Sequence, residues 1–177
     1  GYIHIGLDHF ARPGSELAEA WRTRTLYRSF QGYSTNAGGA LVGLGASAIS
    51  ELGGCYAQNA THLPDYLAKI DEGQFATYRG YHLSADDIIR KSVIDSIMCY
   101  ASVDFKTIET QYGIHFSTYF RRELQMLETL ESLGIVMRTS NGISMTTSGR
   151  IFLRHAAMIF DYYLQTTAPS GQYSPTI

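Results

Sequence analysis

Apolar and polar residues alternate from Tyr2 to Leu7, the period of a half-buried strand. The run ends at Asp8-His9-Phe10. Arg12-Pro13-Gly14-Ser15 then predicts a turn, with Ser15 as N-cap of a helix through Leu17, Ala18, Ala20 and Trp21. Residues 28–40 are polar and glycine-rich, with Gly38-Gly39 near their end, and predict a loop or a short hairpin. The apolar run from Ala40 to Gly45 predicts a second strand, of the fully buried kind. Gly53-Gly54 marks a further turn before Cys55-Tyr56-Ala57-Gln58-Asn59.

Past residue 60 the periodicity becomes helical. Leu63–Ile70 predicts a helix that tolerates Pro64 in its first turn. Ser84-Ala85-Asp86-Asp87 resembles a capping box and leads into Ile88, Ile89, Val93, Ile94, Ile97 and Met98 at helical spacing. Asp104–Tyr112 predicts a short helix stopped by Gly113. Phe116, Phe120, Leu124, Leu127 and Leu130 predict a longer one, ended by Gly134. Ser140-Asn141-Gly142 between Ile135–Thr139 and Ile143–Thr146 signals a hairpin. A last helix is expected over Ser148–Leu164, before a polar tail with Pro169 and Pro175. The expected class is α+β: short N-terminal strands, then a mainly helical domain whose order of helix, helix, hairpin, helix is winged-helix-like.

Composition narrows the function classes. The chain has 177 residues, 45% of them apolar and 17% charged, enough for one domain with a core, or a core plus a small satellite. Its formal net charge of -2 gives no general electrostatic case for nucleic acid or an anionic membrane. Two cysteines, Cys55 and Cys99, make no secreted disulfide framework and favour a reducing, cytoplasmic setting. No apolar run reaches the roughly 20 residues of a membrane span. The chain begins at Gly1 and runs straight into a strand, which reads as a piece of something longer.

Several motifs admit a functional and a plain reading. Gly43-x-Gly45-x-x-Ala48 matches a dinucleotide fingerprint, but Gly53-Gly54 interrupts the helix that should follow and no strand-ending acid lies downstream. His4, Asp8 and His9 are close in sequence, yet His4 and His9 would point to opposite faces of a strand, so no metal is expected there. Two cysteines alone do not hold an iron–sulfur cluster. The winged-helix order invites a DNA reading through Arg121, Arg122 and Arg138. Glu123, Glu128 and Glu131 make that face mixed, and no nucleic acid is expected. Arg22, Arg24 and Arg28 form a basic run: a solvated face, or recognition of a carboxylate by a guanidinium fork.

Asp8-His9-Phe10-Ala11, Arg28-x-Phe30-Gln31-Gly32-Tyr33, Leu44-Gly45-Ala46-Ser47-Ala48-Ile49-Ser50 and Cys55-Tyr56-Ala57-Gln58-Asn59 follow in order. Arg79-Gly80, Ile88-Ile89-Arg90 and Thr147-x-Gly149-Arg150 come after them. This set, spanning essentially the whole chain, resembles the C-terminal part of the oxygen-independent coproporphyrinogen III oxidases, radical S-adenosylmethionine enzymes of haem biosynthesis.

The resemblance implies an enzyme that oxidatively decarboxylates two propionates of coproporphyrinogen III to vinyls. It implies S-adenosylmethionine and a 4Fe-4S cluster as cofactors. The cluster's Cys-x-x-x-Cys-x-x-Cys loop is expected in an N-terminal barrel of the same chain, because no such loop occurs here. Residues 1–60 would then be the end of that barrel with glycine-rich loops, and residues 61–177 the helical covering domain. The resemblance implies that Gln31 and Ile49 lie beside bound S-adenosylmethionine. Arg28 as a substrate-binding partner for a carboxylate is read from its charge alone. No catalytic residue is expected in this stretch, nor oxidase activity or tight cofactor binding from it by itself. An apolar surface is expected where the barrel docks. Relatives that carry haem are the competing reading; Asp8-His9-Phe10 and Gln31-Gly32-Tyr33 favour the oxidase.

Overall fold

A computed structural model describes residues 1–35 and 39–166. The alternating start forms β1 (Ile3–Gly6), which pairs antiparallel with β2 (His9–Ala11). Ser15 caps α1 (Glu16–Thr23) by accepting from the Ala18 N–H. β3 (Tyr27–Ser29) and β4 (Gly32–Ser34) form the short hairpin that was one of the two expectations for this stretch. Gly38 of the glycine pair lies outside the described residues, as does the polar tail.

The buried strand expected at Ala40–Gly45 does not form. Only Leu41 makes a bridge, to Glu51, while Val42 is 63% and Leu44 88% exposed. Gly43 and Gly45 let the backbone curl instead: a Cβ on Gly43 would meet the Ile49 carbonyl, and Gly45 has φ +105°. The Asn59 side chain donates to both glycine carbonyls, at 3.3 and 3.0 Å, and pins the loop. The strands follow it: β5 (Ile49–Leu52), β6 (Cys55–Asn59) and β7 (Thr77–His82), a three-stranded antiparallel sheet in that order. Gly53 and Gly54 both take positive φ in the tight β5–β6 turn. Between β6 and β7 runs α2 (Leu63–Asp71), with Pro64 in its first turn.

The capping box opens α3 (Ala85–Tyr100): the Asp87 N–H donates to Ser84 Oγ, and the Ser84 N–H donates back to Asp87 Oδ2. β8 (Ser102–Asp104) leads into α4 (Phe105–Tyr112), capped by Asp104 and stopped by Gly113 in the left-handed region. The single long helix expected from Phe116 is two, α5 (Phe116–Tyr119) and α6 (Arg121–Ser132). Phe120, at the joint, is fully buried between Phe116 and Phe160, with centroids 4.8 and 5.4 Å away, and its burial sets the bend.

The predicted hairpin is β9 (Val136–Arg138) and β10 (Gly142–Met145); β8 pairs on the far side of β10. Neither Asn141 nor Gly142 has positive φ. Gly142 instead lets β8 approach: a Cβ there would lie 2.4 Å from the Val103 carbonyl oxygen. The expected last helix is also divided. A 3-10 turn (Gly149–Phe152) precedes α7 (Leu153–Met158), and α8 (Tyr162–Thr166) follows a break where Phe160 plugs the core.

α3 joins two cores. Val93, Ile97 and Met98 pack with Phe116, Phe120, Leu127, Leu153 and Phe160; Cys99 packs with Ile5, Ala18 and Leu26 under the N-terminal hairpin. Arg150 ties the halves together by donating to the His4 carbonyl and stacking on Trp21. The coarse expectation, a mixed α+β chain that turns helical after its first strands, describes this architecture.

The capping box also sets a pH dependence. Burial alone would raise the Asp87 pKa, but hydrogen bonds from Ser84, Tyr163 and Tyr81 outweigh it and hold the carboxyl below its usual range. A depressed carboxyl pKa contributes stability above the unfolded value of about 3.9, and that contribution is lost as pH falls through the folded value. Asp87→Asn should therefore cost about 1 kcal/mol at pH 7. Paired urea titrations should show the gap closing below about pH 4; a gap constant with pH would contradict it.

Candidate functional site

Arg28, the middle residue of β3, stands on a strand three residues long, so its neighbours Tyr27 and Ser29 point to the opposite face. Its guanidinium lies 5.8 Å from the Tyr33 ring centroid. Its Nε is buried without a hydrogen-bond partner among the described residues. The side chain forms part of the wall of a cavity of about 430 Å³ bounded by the β5–β7 sheet, α3 and Phe160–Tyr163.

The cavity is aromatic and charged. Tyr56 and Tyr81 face each other in register across β6 and β7. Tyr81 and Tyr163 share a hydroxyl contact, and each donates to Asp87. Lys91 lies 2.7 Å from Asp95 and 3.4 Å from Glu51, and Tyr27 donates to Glu51 from outside, at 2.7 Å. Burial would lower the Lys91 pKa, yet the pairing with Asp95 and Glu51 overrides it and keeps the ammonium firmly charged. Burial pushes the Tyr56 hydroxyl up to about 12, so it stays a neutral donor.

Gln31 occupies the β3–β4 turn and is exposed; its N–H donates to Ser29 Oγ, and its side-chain amide has no partner among the described residues. A second hollow of about 410 Å³ runs from Tyr27 past Gln31 to Leu41. Ile49 opens β5, half-buried, with its carbonyl against Gly43. Phe30, beside Gln31, packs edge-on against Tyr56 at 5.1 Å, so the turn adjoins the cavity wall.

The remaining motif residues do not converge on a ligand site. His4 Nε2 pairs with the Leu7 carbonyl, and His9 Nδ1 with Asp8. No group of three or more His, Cys, Asp or Glu among the described residues is arranged to hold a metal ion. Cys99 is buried and its thiol is pushed to about 12, first by burial and then by Asp95, the reverse of what a thiolate ligand needs. The basic run splits three ways: Arg22 pairs with Glu19, Arg24 bonds Ser102 and stacks on Tyr100, and Arg28 goes inward. Arg138 is spent on Glu131 and the Leu124 carbonyl rather than offered to phosphates. Sequence reasoning did not find Tyr56, Tyr81, Lys91, Asp95 and Tyr163. Only the i, i+4 spacing of Lys91 and Asp95 on α3 was there to be read.

The HemN C-terminal domain family matches residues 83–152. The oxygen-independent coproporphyrinogen III oxidase of Escherichia coli (strain K12) is 45% identical over all of this chain. That of Pseudomonas aeruginosa is 44% identical over 93% of it. The chain spans only 39% and 36% of those two relatives' lengths. A solved structure described as coproporphyrinogen III oxidase (HemN) from Escherichia coli, a radical SAM enzyme, superposes with a TM-score of 0.88. It is 45% identical, over 93% of this chain and 38% of that one. Residues 83–152 thus belong to the HemN C-terminal domain family, and over its whole length the chain is similar to a part of these oxygen-independent coproporphyrinogen III oxidases.

Proposed function

We propose that this chain is the covering portion of a cytoplasmic enzyme that oxidatively decarboxylates two propionates of coproporphyrinogen III, giving protoporphyrinogen IX. The observation that carries it is the unbroken 45% identity to such an oxidase across all 177 residues. The chemistry that bound S-adenosylmethionine and a 4Fe-4S cluster supply is a hydrogen-abstracting radical. The cysteines here do not fit the cluster, since Cys55 and Cys99 lie on different elements and Cys99 is buried. The cluster is assigned to the N-terminal barrel of the same chain, outside these residues.

Two features support a docked barrel. β1 pairs on one side only among the described residues, with β2, so its other edge is open to continue a barrel sheet. α2 buries none of its residues and turns Leu63, Leu67 and Ile70 outward, and Phe75 beyond it is 95% exposed. The order α3–β8–α4–α5–α6–hairpin over residues 85–145, with β8 at the edge of the hairpin sheet, is compatible with the winged-helix reading. The division near residue 60 belongs to the same reading, with β7 reaching back across it to pair with β6.

Gln31 and Ile49 are proposed to touch S-adenosylmethionine. The exposed Gln31 amide suits a polar cofactor edge, and Ile49 beside the Gly43 loop suits an apolar face. In the full-length enzyme, Gln31→Ala should weaken S-adenosylmethionine binding about three- to tenfold, the worth of one neutral hydrogen bond. Equilibrium dialysis reads this directly, and unchanged affinity would remove Gln31 from the site. Anaerobic turnover of coproporphyrinogen III by the full-length protein, against haem titration of the same preparation, tests the function itself. Stoichiometric haem binding without turnover would overturn the oxidase reading in favour of a haem carrier.

A further inference from the structure

The cavity beneath β3 has its own chemistry, separate from the Gln31 turn. Three cations and four carboxylates line it, yet the carboxylates are engaged. Glu51 and Asp95 hold Lys91, Asp87 accepts from Ser84 and two tyrosines, and Asp161 accepts from the Tyr163 and Leu164 N–H groups. Arg90 is held by Asp86 and Glu123. Arg28, whose charge helps hold the Asp95 carboxylate, has its buried Nε without a hydrogen-bond partner among the described residues. A buried donor without an acceptor costs about 1–3 kcal/mol, so its presence points to an acceptor supplied from outside.

The type of acceptor follows from the walls. A guanidinium fork fits a planar carboxylate with two parallel bonds, in a way that a single carbonyl cannot match. Around it Tyr56, Tyr81 and Ile94 offer apolar faces that suit a hydrocarbon arm. Because acids outnumber cations overall, an anion is not drawn in by the general field; it must be recognised at short range by Arg28. At about 430 Å³ the cavity lies low in the range of ligand pockets, room for an arm rather than a macrocycle.

We propose that this cavity binds an organic carboxylate carried on an apolar arm, with Arg28 as its fork. Resting on the function proposed above, that arm is one propionate of the tetrapyrrole substrate. The β5–β7 sheet and Tyr163 then hold one edge of the substrate while the rest faces the barrel.

The test uses the full-length protein and coproporphyrin, the stable fluorescent tetra-acid, beside its tetramethyl ester. Arg28→Gln should weaken tetra-acid binding about tenfold or more, and Arg28→Lys less, since one ammonium replaces a fork. Leu83→Trp, which fills the cavity and leaves Arg28 in place, should weaken it similarly. Ester binding should not depend on Arg28. Without ligand, Arg28→Gln should still fold cooperatively, because no hydrogen bond of its Nε is lost among the described residues. Tetra-acid binding that survives both Arg28→Gln and Leu83→Trp, or an equal loss for acid and ester, would overturn the proposal. Turnover by the wild type is scored separately. Its absence would remove the oxidase activity while leaving an Arg28-dependent carboxylate site standing.

Discussion

Alanine at position 149 is expected to destabilise the chain by about 3 kcal/mol, the upper end for overpacking a filled site. The added Cβ would lie 1.9 Å from the Ile135 carbonyl oxygen, 2.8 Å from its carbon and 3.0 Å from its Cα. All three are backbone atoms, so no rotamer change relieves the clash. The surroundings are clamped as well. The Gly149 N–H donates to Thr146 Oγ1, Thr146 Oγ1 donates to the Gly134 carbonyl, and the Thr146 N–H donates to Ile135. Moving residue 149 away breaks these bonds and separates the last helices from β9. A chain of this length should lose roughly 6–12 °C in Tm. Gly39→Ala is the control: no described residue lies within 4 Å of its Cβ position and its φ is outside the left-handed region, so it should change stability by less than about 0.5 kcal/mol. A Gly149→Ala protein that melts with the wild type would show that the two segments separate freely.

The same glycine marks how far the sequence could be read. Thr147-x-Gly149-Arg150 stands out in sequence as part of a family resemblance, and the structure makes it a packing device. Gly149 allows close approach, and Arg150 reaches His4 and Trp21 in the other core. Features whose cause lies within four residues were legible. Ser15, Ser84 and Asp104 cap helices, Pro64 sits in a first turn, and Gly113 stops α4. Features whose cause lies far along the chain were not. β7 exposes all six of its residues, so Thr77–His82 shows no alternation; it is a strand because β6 offers an edge. Ala40–Gly45 reads as a buried strand on hydrophobicity, but no strand among the described residues lies on its far side and its glycines let it curl. The breaks at Phe120 and Phe160 come from aromatic packing between segments some forty residues apart, which helical periodicity cannot encode.

The candidate site divides along the same line. Arg28, Gln31 and Ile49 are legible in the sequence, two of them through the resemblance and one through charge. What sequence could not supply was the wall opposite Arg28. It takes Tyr81 from β7, Lys91 and Asp95 from α3 and Tyr163 from α8, elements that only tertiary packing brings together. The basic run around Arg22 looked uniform in sequence. Folding gave each arginine a different neighbour and, among the described residues, left Arg28 with a buried nitrogen unpaired.

Replacing Arg90 by methionine is expected to cost about 3–5 kcal/mol, the usual result of leaving one member of a buried ion pair alone. Glu123 on α6 is only 5% exposed, and its carboxylate accepts from Arg90 Nη1 at 2.8 Å. The same Nη1 lies 3.2 Å from the Phe160 carbonyl, and the guanidinium carbon sits 5.5 Å from the Phe120 ring centroid and 5.6 Å from that of Tyr162. Methionine fills much of the volume but leaves the buried Glu123 carboxyl and the Phe160 carbonyl without this donor. The bond to Asp86, whose side chain is 39% exposed, adds little, because water replaces it. Lysine should rescue only in part, since one ammonium cannot reach Asp86, Glu123 and the carbonyl as the fork does. The decisive measurement is a double-mutant cycle by urea unfolding. Arg90→Met with Glu123→Leu should recover most of the loss, because two apolar groups of similar volume replace a buried pair at little net cost. Additive losses would mean that Arg90 acts through ring stacking and not through its charge. Phe160 and Tyr162 line the carboxylate cavity, so the coupled result would also make this pair the support that holds the cavity's α3 wall against its C-terminal wall.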